Sequence, residues 1–340
     1  MDAIQLSIAR RVVPELLEVL QERTRILNRI ALLQPIGRRA LAVELGTTER
    51  ILRAEVDFLK QQGLLTAQAA GMSLSIEGQS LLEELNQVLA VLDGRSELSS
   101  MLSRKLGIPH VIVVNGDSDE EGWAKNTLGL EAAQYLRSVL KPDDVLAVTG
   151  GSTMAAIASK MPNTGGKLPV KVVPARGGLG ENVAFQANTI ASELAAQLGG
   201  TSVMLHVPDR LSEETLQLIV KEPLVQERLQ EIREATVVVH GIGEATRMAE
   251  RRRSTEEEVQ VLRNRGAVAE AFGYYFDADG RIIYEMNVVG LRIGDLKHMR
   301  VVLGVAGGHS KAEAIAAAAK AYKMDVLVTD EGAARRLVRN

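Results

Sequence analysis

The chain has no cysteine among its 340 residues. Disulfides and thiolate metal sites are therefore excluded, and a reducing compartment is expected. Its five histidines (His110, His206, His240, His298 and His309) show no short ligand spacing, so no metal is expected. Charge of one sign is also lacking. The formal net charge is -3, so the molecule has no polycation character and any nucleic-acid contact must come from a local patch. No run is apolar for long enough to span a bilayer. The N-terminus carries Asp2, Arg10, Arg11 and Glu15 instead of the apolar block of a signal peptide. The expectation is a cytoplasmic protein with no membrane partner. No internal repeat or low-complexity tract is present.

What remains is ordinary globular composition, 46% hydrophobic and 24% charged, with length enough for two domains. Pro14 opens a helical pattern in which Leu16, Leu17, Leu20, Ile26, Leu27, Ile30 and Leu33 share one side. Pro35-Ile36-Gly37 stops it. A short helix follows from Arg38 to Leu45, then Gly46. A third helix starts at Thr47-Thr48-Glu49, a capping residue followed by an early acid, and runs to about Gln62 before Gly63.

Two helices joined by "LGTT" fit a helix-turn-helix. On the third helix Leu52, Val56 and Leu59 fall on one side. Arg50, Arg53 and Asp57 fall on another, with Lys60 at its margin. That solvent face carries the residue type that forks onto guanine edges or phosphates. Arg38, Arg39, Thr47 and Thr48 complete the candidate DNA contacts. Glu55 lands within the apolar side with no evident partner, and Glu44, Glu49, Glu55 and Asp57 dilute the arginines. "LLTAQAAGMSLSIEG" gives two short apolar runs around a glycine, which suits a β-wing. A further helix, Glu77 to Leu92, repeats Leu81, Leu82, Leu85, Val88 and Leu92, as core or as a contact with another subunit. "DGRS" at Asp93–Ser96 breaks it, which sets domains at 1–93 and 94–340.

Beyond this point Val-rich strands alternate with helices: "HVIVVNG", "DVLAVTGG", "VKVVPARGG", "SVMLHVP", "ATVVVHGIG", "VVLGVAGG" and "DVLVTD". Strands without polar alternation are buried on both faces. The class is α/β with a doubly wound, mainly parallel sheet, which binds ligands at the carboxyl ends of its strands. There stand "TGGST", "ARGGLGE" with Arg176, "HGIGEA" and "AGGHSKAEAI" with Lys311. Glycines let backbone N–H groups approach an anion, and helix N-termini favour negative charge. "MAERRRSTEE" adds Arg251, Arg252 and Arg253. Two separated cationic groups suit a ligand with two phosphates. The three adjacent arginines repel one another without an anion, so a bisphosphate is expected to draw Arg251 and Arg252 inward and order this segment.

The motifs "VTGGST", "VPARGGLGENVAFQANTIA", "HGIGEA", "AEAFGYYFDADG", "VAGGHSKAEAI" and "VTDEGAA" resemble the sugar-binding domain of the SorC/DeoR family of bacterial regulators, a relative of the sugar-phosphate isomerase and deaminase fold. "PIGRRALAVELGTTERILRAEVDFLKQQGLL" resembles the winged helix-turn-helix of a group that represses a glycolytic operon. The resemblance runs essentially the whole chain. It implies a repressor of operator DNA, a tetramer built from dimers, with fructose-1,6-bisphosphate as effector and no cofactor. It also implies an effector site of Thr149, Gly150, Gly151, Ser152, Thr153, Arg176, Gln186, Arg251, Arg252, Glu270 and Lys311. Ser152 stands where a second threonine is expected, and Arg253 extends the basic run.

The enzymes of this fold carry Asp-Gly-His shortly after the Gly-x-Gly turn, where acid and imidazole move protons. Here Ala245, Thr246 and Arg247 stand instead. His240 reads as a packed histidine, and Glu270 as a carboxylate bonding sugar hydroxyls. A sensor is therefore expected, not an enzyme. A regulator sensing a monophosphorylated sugar, or an isomerase with a DNA-binding appendage, stays as an alternative.

Overall fold

The computed structural model describes residues 14–45, 47–92, 94–162, 167–178, 182–208, 211–252 and 254–339. The chain divides into two compact units, Met1–Glu97 and Leu98–Asn340. The expected boundary residue, Asp93, lies outside the described residues.

The first unit runs α1 (Pro14–Leu33), α2 (Arg38–Glu44), α3 (Glu49–Gln61), β1 (Leu65–Gln68), β2 (Gly71–Leu74) and α4 (Ile76–Leu92). Its core joins Ile26, Leu27 and Ile30 of α1, Leu41 of α2, Leu52, Val56 and Leu59 of α3, Met72 of β2 and Leu82 of α4. Each such side chain contributes about 1.5–3 kcal/mol by leaving water. Thr48 caps α3, its hydroxyl accepting from the Ile51 amide at 3.4 Å. Glu55 does have a partner. Arg23 of α1 donates Nε to it at 2.7 Å and lies 3.9 Å over the Phe58 ring. The acid therefore ties α3 to α1 and takes no part in diluting the arginine face.

The second unit is built on a seven-stranded sheet in the order β3-β13-β12-β7-β4-β5-β6, parallel throughout. The strands are β3 (His110–Val114), β4 (Val145–Val148), β5 (Lys171–Pro174), β6 (Thr201–Ser202), β7 (Val237–Gly241), β12 (Val301–Val305) and β13 (Val326–Asp330). Six of them lie in runs named above; of "SVMLHVP" only Ser202 is strand, since β6 ends there and residues 203–207 are irregular. Alternate residues feed two cores. Ala147, Val173, Val238, Val302 and Leu327 lie in one, and Leu146, Val148, Val237, Val239, Leu303 and Val328 in the other. This two-sided burial is why the strands lack polar alternation.

A second sheet carries no such announcement in the sequence. Four short antiparallel strands, β8 (Gly243–Glu244), β9 (Ala269–Ala271), β10 (Tyr274–Phe276) and β11 (Ile282–Glu285), pair in the order β11-β10-β9-β8. β9 and β10 are joined by a two-residue turn, Phe272-Gly273, with φ of +55° and +87°, the left-handed pair that matches hairpin twist.

Five helices bear on the site: α5 (Gly122–Val139), α6 (Ser152–Ser159), α7 (Ala187–Leu198), α8 (Ala245–Arg251) and α9 (Ala312–Ala321). No helix among the described residues is long and apolar enough to cross a membrane.

Candidate functional site

The strand order sets the site. From β4 the chain moves outward to β5 and β6, and from β7 it moves the other way to β12 and β13. The reversal lies between β4 and β7, and open parallel sheets bind ligands beyond the strand ends at such a point. Thr149 follows β4 there, its Oγ1 accepting from the Gly241 amide at the end of β7 at 3.2 Å.

Gly150 and Gly151 then turn the chain into α6. Gly151 has φ +121°, ψ 162°, and no atom of the described residues lies within 4 Å of where its Cβ would stand. Only glycine holds this backbone. The Gly151 amide donates to Phe185 O at 2.8 Å, which brings the next residue, Gln186, beside the loop. The Phe185 ring lies 5.9 Å from the Arg251 guanidinium. Thr149, Gly150, Gly151, Gln186 and Arg251 therefore converge. Thr153 is buried and Ser152 half-buried. Lys125 of α5 reaches Ser152 Oγ at 3.5 Å, a cation that no strand-end motif contains because it sits on a helix.

Arg176, Arg252 and Glu270 form a second group. One oxygen, Glu270 Oε1, accepts from Arg252 Nη2 at 2.7 Å, Arg176 Nη1 at 3.4 Å and the Gly273 amide at 2.8 Å. All three side chains are at most 5% exposed. Burial pushes the Glu270 carboxyl up, but the charges of Arg252 and Arg176 and their hydrogen bonds outweigh it and hold the pKa below the usual glutamate value. The expectation that a ligand draws Arg252 inward is corrected here. Arg252 is already inside, because Glu270 supplies the counter-charge that repulsion among the arginines was expected to lack. Arg251 stays half-buried, and Arg253 lies outside the described residues, as do Leu179, Gly180 and Glu181 of "ARGGLGE".

Lys311 stands in a 3-10 turn just before α9, half-buried. Burial pushes its ammonium below the ordinary lysine value, and the Lys125 charge adds to this, against Asp119 and Asp330. The loop before it differs from expectation. Its amides do not wait for an anion: Gly308 N donates to Asp330 at 2.7 Å, His309 N to Asp117 at 3.2 Å and Ser310 N to Asp119 at 2.8 Å. Carboxylates from "NGDSDEE" and β13 have filled these positions. The "HGIGEA" end is similarly occupied, with Thr246 N and Arg247 N both donating to Glu244. Among the described residues of the glycine-rich ends, "TGGST" alone combines an open glycine face with a helix start and a nearby lysine.

Asp117, Asp119 and His309 also bring ligand-type atoms within 4.8 Å of one another. Their hydrogen bonds to each other and to the loop amides account for the grouping. Sequence spacing cannot reveal it, since His309 and Asp117 come from opposite ends of the unit. His240 is fully buried, its ring 4.7 Å from Phe272 and 5.6 Å from Tyr322. Its Nδ1 lies 3.1 Å from Gly241 O, which assigns the proton to Nδ1. Burial pushes its pKa down to about 4. It is a packed, neutral histidine.

In the first unit the candidate DNA contacts lie on α2, the turn and the start of α3. Arg39 is exposed and bonded to Glu49 at 3.2 Å, Arg53 meets the same acid at 3.7 Å, and Arg38 meets Asp57 at 3.7 Å. Arg50 and Thr48 are exposed, and Thr47 is half-buried.

Comparison with known proteins accords with this division. A sugar-binding domain family matches residues 91–339, and the CggR N-terminal DNA-binding domain matches residues 19–89. Over 336 residues the chain is 45% identical to the central glycolytic genes regulator of Priestia megaterium, covering 98% of both chains. Over 331 residues it is 43% identical to that of Bacillus subtilis, covering 97% of both. Among solved structures, a SorC family transcriptional regulator from Enterococcus faecalis shares 39% identity at a TM-score of 0.66, covering 71% of this chain and 99% of that one. With both parts matched and the likeness running almost end to end, this chain belongs to the family of central glycolytic genes regulators, SorC-type transcription regulators that place a DNA-binding domain ahead of a sugar-binding one.

Proposed function

We propose that the chain is a cytoplasmic repressor of a glycolytic operon, binding operator DNA through a winged helix-turn-helix and released by fructose-1,6-bisphosphate. The observation that carries the choice of effector is the presence of two cation groups at one switch point. Lys125 lies 3.5 Å from Ser152 Oγ beside the glycine loop, and its charge is felt at Lys311. Arg176 and Arg252 stand on Glu270 at 3.4 and 2.7 Å, two cations against one carboxylate. Each group is suited to one phosphate. Thr149, Gly150, Gly151, Ser152 and Thr153 would receive one phosphate with Lys311 and Lys125. Arg251 and Gln186 would meet the rest of the ligand, with Arg176, Arg252 and Glu270 preformed beside it.

The effector acts by its differential affinity for two states of the assembly, proposed as a tetramer built from dimers, with contacts through α4 and the second unit. A coupling of about 1–3 kcal/mol suffices for a five- to 150-fold change in operator affinity. Two measurements test the reading: thermal shift against a panel of sugar mono- and bisphosphates, and operator release followed by gel shift. Fructose-1,6-bisphosphate should give the largest shift and release the operator. A monophosphate that does both at lower concentration overturns the bisphosphate assignment. Turnover of either sugar, followed by NMR, overturns the sensor.

A further inference from the structure

The first two turns of α3 carry an apolar pair among arginines. Taking Leu52, Val56 and Leu59 as the inward stripe, Arg50 and Ala54 point straight out at 100° per residue, with Arg53 on one flank and Ile51 and Phe58 on the other. Ile51 is 64% exposed and Ala54 is exposed. Phe58 already lies under the Arg23 guanidinium, 3.9 Å away. Among the described residues of this unit Ile51 has no such cover. Single exposed apolar residues are ordinary, but a β-branched side chain is a poor choice for an exposed helical position, where it costs helix propensity and buries nothing. Here it stands at the third helical position after the Thr48 cap, next in sequence to Arg50 and on the flank opposite Arg53, with Arg38 and Arg39 exposed on the preceding helix.

The surroundings identify the occupant. Exposed arginines on two consecutive elements favour a polyanion, and the polyanion that also offers apolar groups in a groove wide enough for a helix is duplex DNA. Its major groove presents the thymine C5-methyl beside base-edge acceptors. We propose that Ile51, with Ala54 one turn on, packs against a thymine methyl, so that α3 reads an A·T pair by apolar contact next to the bases or phosphates met by its arginines. This rests on α3 being the DNA-reading helix, and the experiment below keeps the two claims apart.

A duplex is first obtained by in vitro selection with the full-length parent chain. Each of its thymines is then replaced singly by deoxyuridine, which removes the methyl and leaves pairing and O4 unchanged. Affinities are measured by fluorescence anisotropy at one stated salt concentration, for the parent, Ile51→Ala, Ile51→Val and Arg50→Ala. At one thymine position the parent should lose about fourfold on deoxyuridine replacement, the value of one methyl taken from water. Ile51→Ala should be insensitive at that position and Ile51→Val intermediate. Alanine is the better helix former at an exposed site, so the variant remains folded, and its unfolding midpoint checks this.

The proposal is overturned if the parent binds every deoxyuridine duplex as tightly as the selected one, or if Ile51→Ala keeps the parent's penalty at the same position. If Arg50→Ala weakens binding while Ile51→Ala keeps the methyl sensitivity, α3 reads DNA without Ile51. If neither variant changes binding at all, the helix assignment itself fails.

Discussion

His240 makes the second unit sensitive to mild acid. The ring is fully buried, donates Nδ1–H to Gly241 O, and has no hydrogen-bond partner at Nε2 among the described residues. Protonation must put a charge at Nε2 against Phe272 and Tyr322. Burial is the main reason its pKa falls from 6.5 to about 4, and only the Gly241 bond and the distant Glu270 charge oppose it. The unfolded chain therefore binds more protons than the folded one between these values. Stability is fully present above pH 6.5 and is lost as pH falls toward 4. At 1.36 kcal/mol per pKa unit the full loss is about 3 kcal/mol, of which about 2 kcal/mol is gone at pH 5.

The perturbation that isolates this is His240→Phe. A phenyl ring fits between the same two aromatics and removes the orphan nitrogen, at the loss of one hydrogen bond worth about 1 kcal/mol. Urea unfolding is followed by the fluorescence of the sole tryptophan, Trp123, which reports the second unit. At pH 7.5 the variant should lie within about 1 kcal/mol of the parent. At pH 5 it should be the more stable of the two, since the carboxylates titrate alike in both and cancel. Parallel pH profiles from 7.5 to 5 would refute the reasoning and place a proton acceptor or water at Nε2.

Arg252→Ala leaves Glu270 buried with Arg176 and one amide, and should cost about 3–5 kcal/mol in urea unfolding, whereas Arg251→Ala should barely change stability while weakening bisphosphate binding in calorimetry. Arg50→Ala should cost roughly 1–3 kcal/mol in operator binding if the residue reads a base; Glu49→Gln, by releasing Arg39 and Arg53, should tighten it a few-fold and steepen its salt dependence. Effector binding should fall off on both sides of neutrality. As pH drops through about 6 the phosphates gain their second proton, and as pH rises toward the depressed Lys311 value that ammonium is lost. Lys125→Ala removes a like charge from beside Lys311, so the alkaline fall should move to higher pH in a fluorescence titration, and an unmoved limb would separate the two lysines.

The parallel sheet was open to sequence reading because burial on both faces leaves an unmistakable trace, a run of valines with no polar alternation. The β8–β11 sheet leaves none: its strands have two to four residues, too few to show a period of two. Its one local signal is the Phe-Gly turn, and phenylalanine is not the residue that left-handed turns usually select. For the site, charge and glycine at strand ends are visible in the chain, whereas their satisfaction is not. Nothing in "AGGHSK" tells that its amides are filled by acids, two from a loop almost two hundred residues earlier and one from β13. Nor does "RRR" tell that its middle member is already neutralised by Glu270. Both facts are pairings between separate elements, and a single sequence records only one side of each. Lys125 escaped for a related reason, since its register on α5 matters only once α6 is known to start beside it.

The reversal between β4 and β7 also has a mechanical side. The strands there were laid down in two opposite campaigns, and three backbone pairs, Leu146–Val237, Ala147–Val238 and Val148–Val239, form the seam between them. Thr149 and Gly241 fasten its upper edge. Thr149 and Gly151 belong to one bank of that seam, Arg247 and Lys311 to the other. A small molecule gripping both banks is a rivet across the joint, and a protease or a pulling force that parts the sheet along this line must first strip it out.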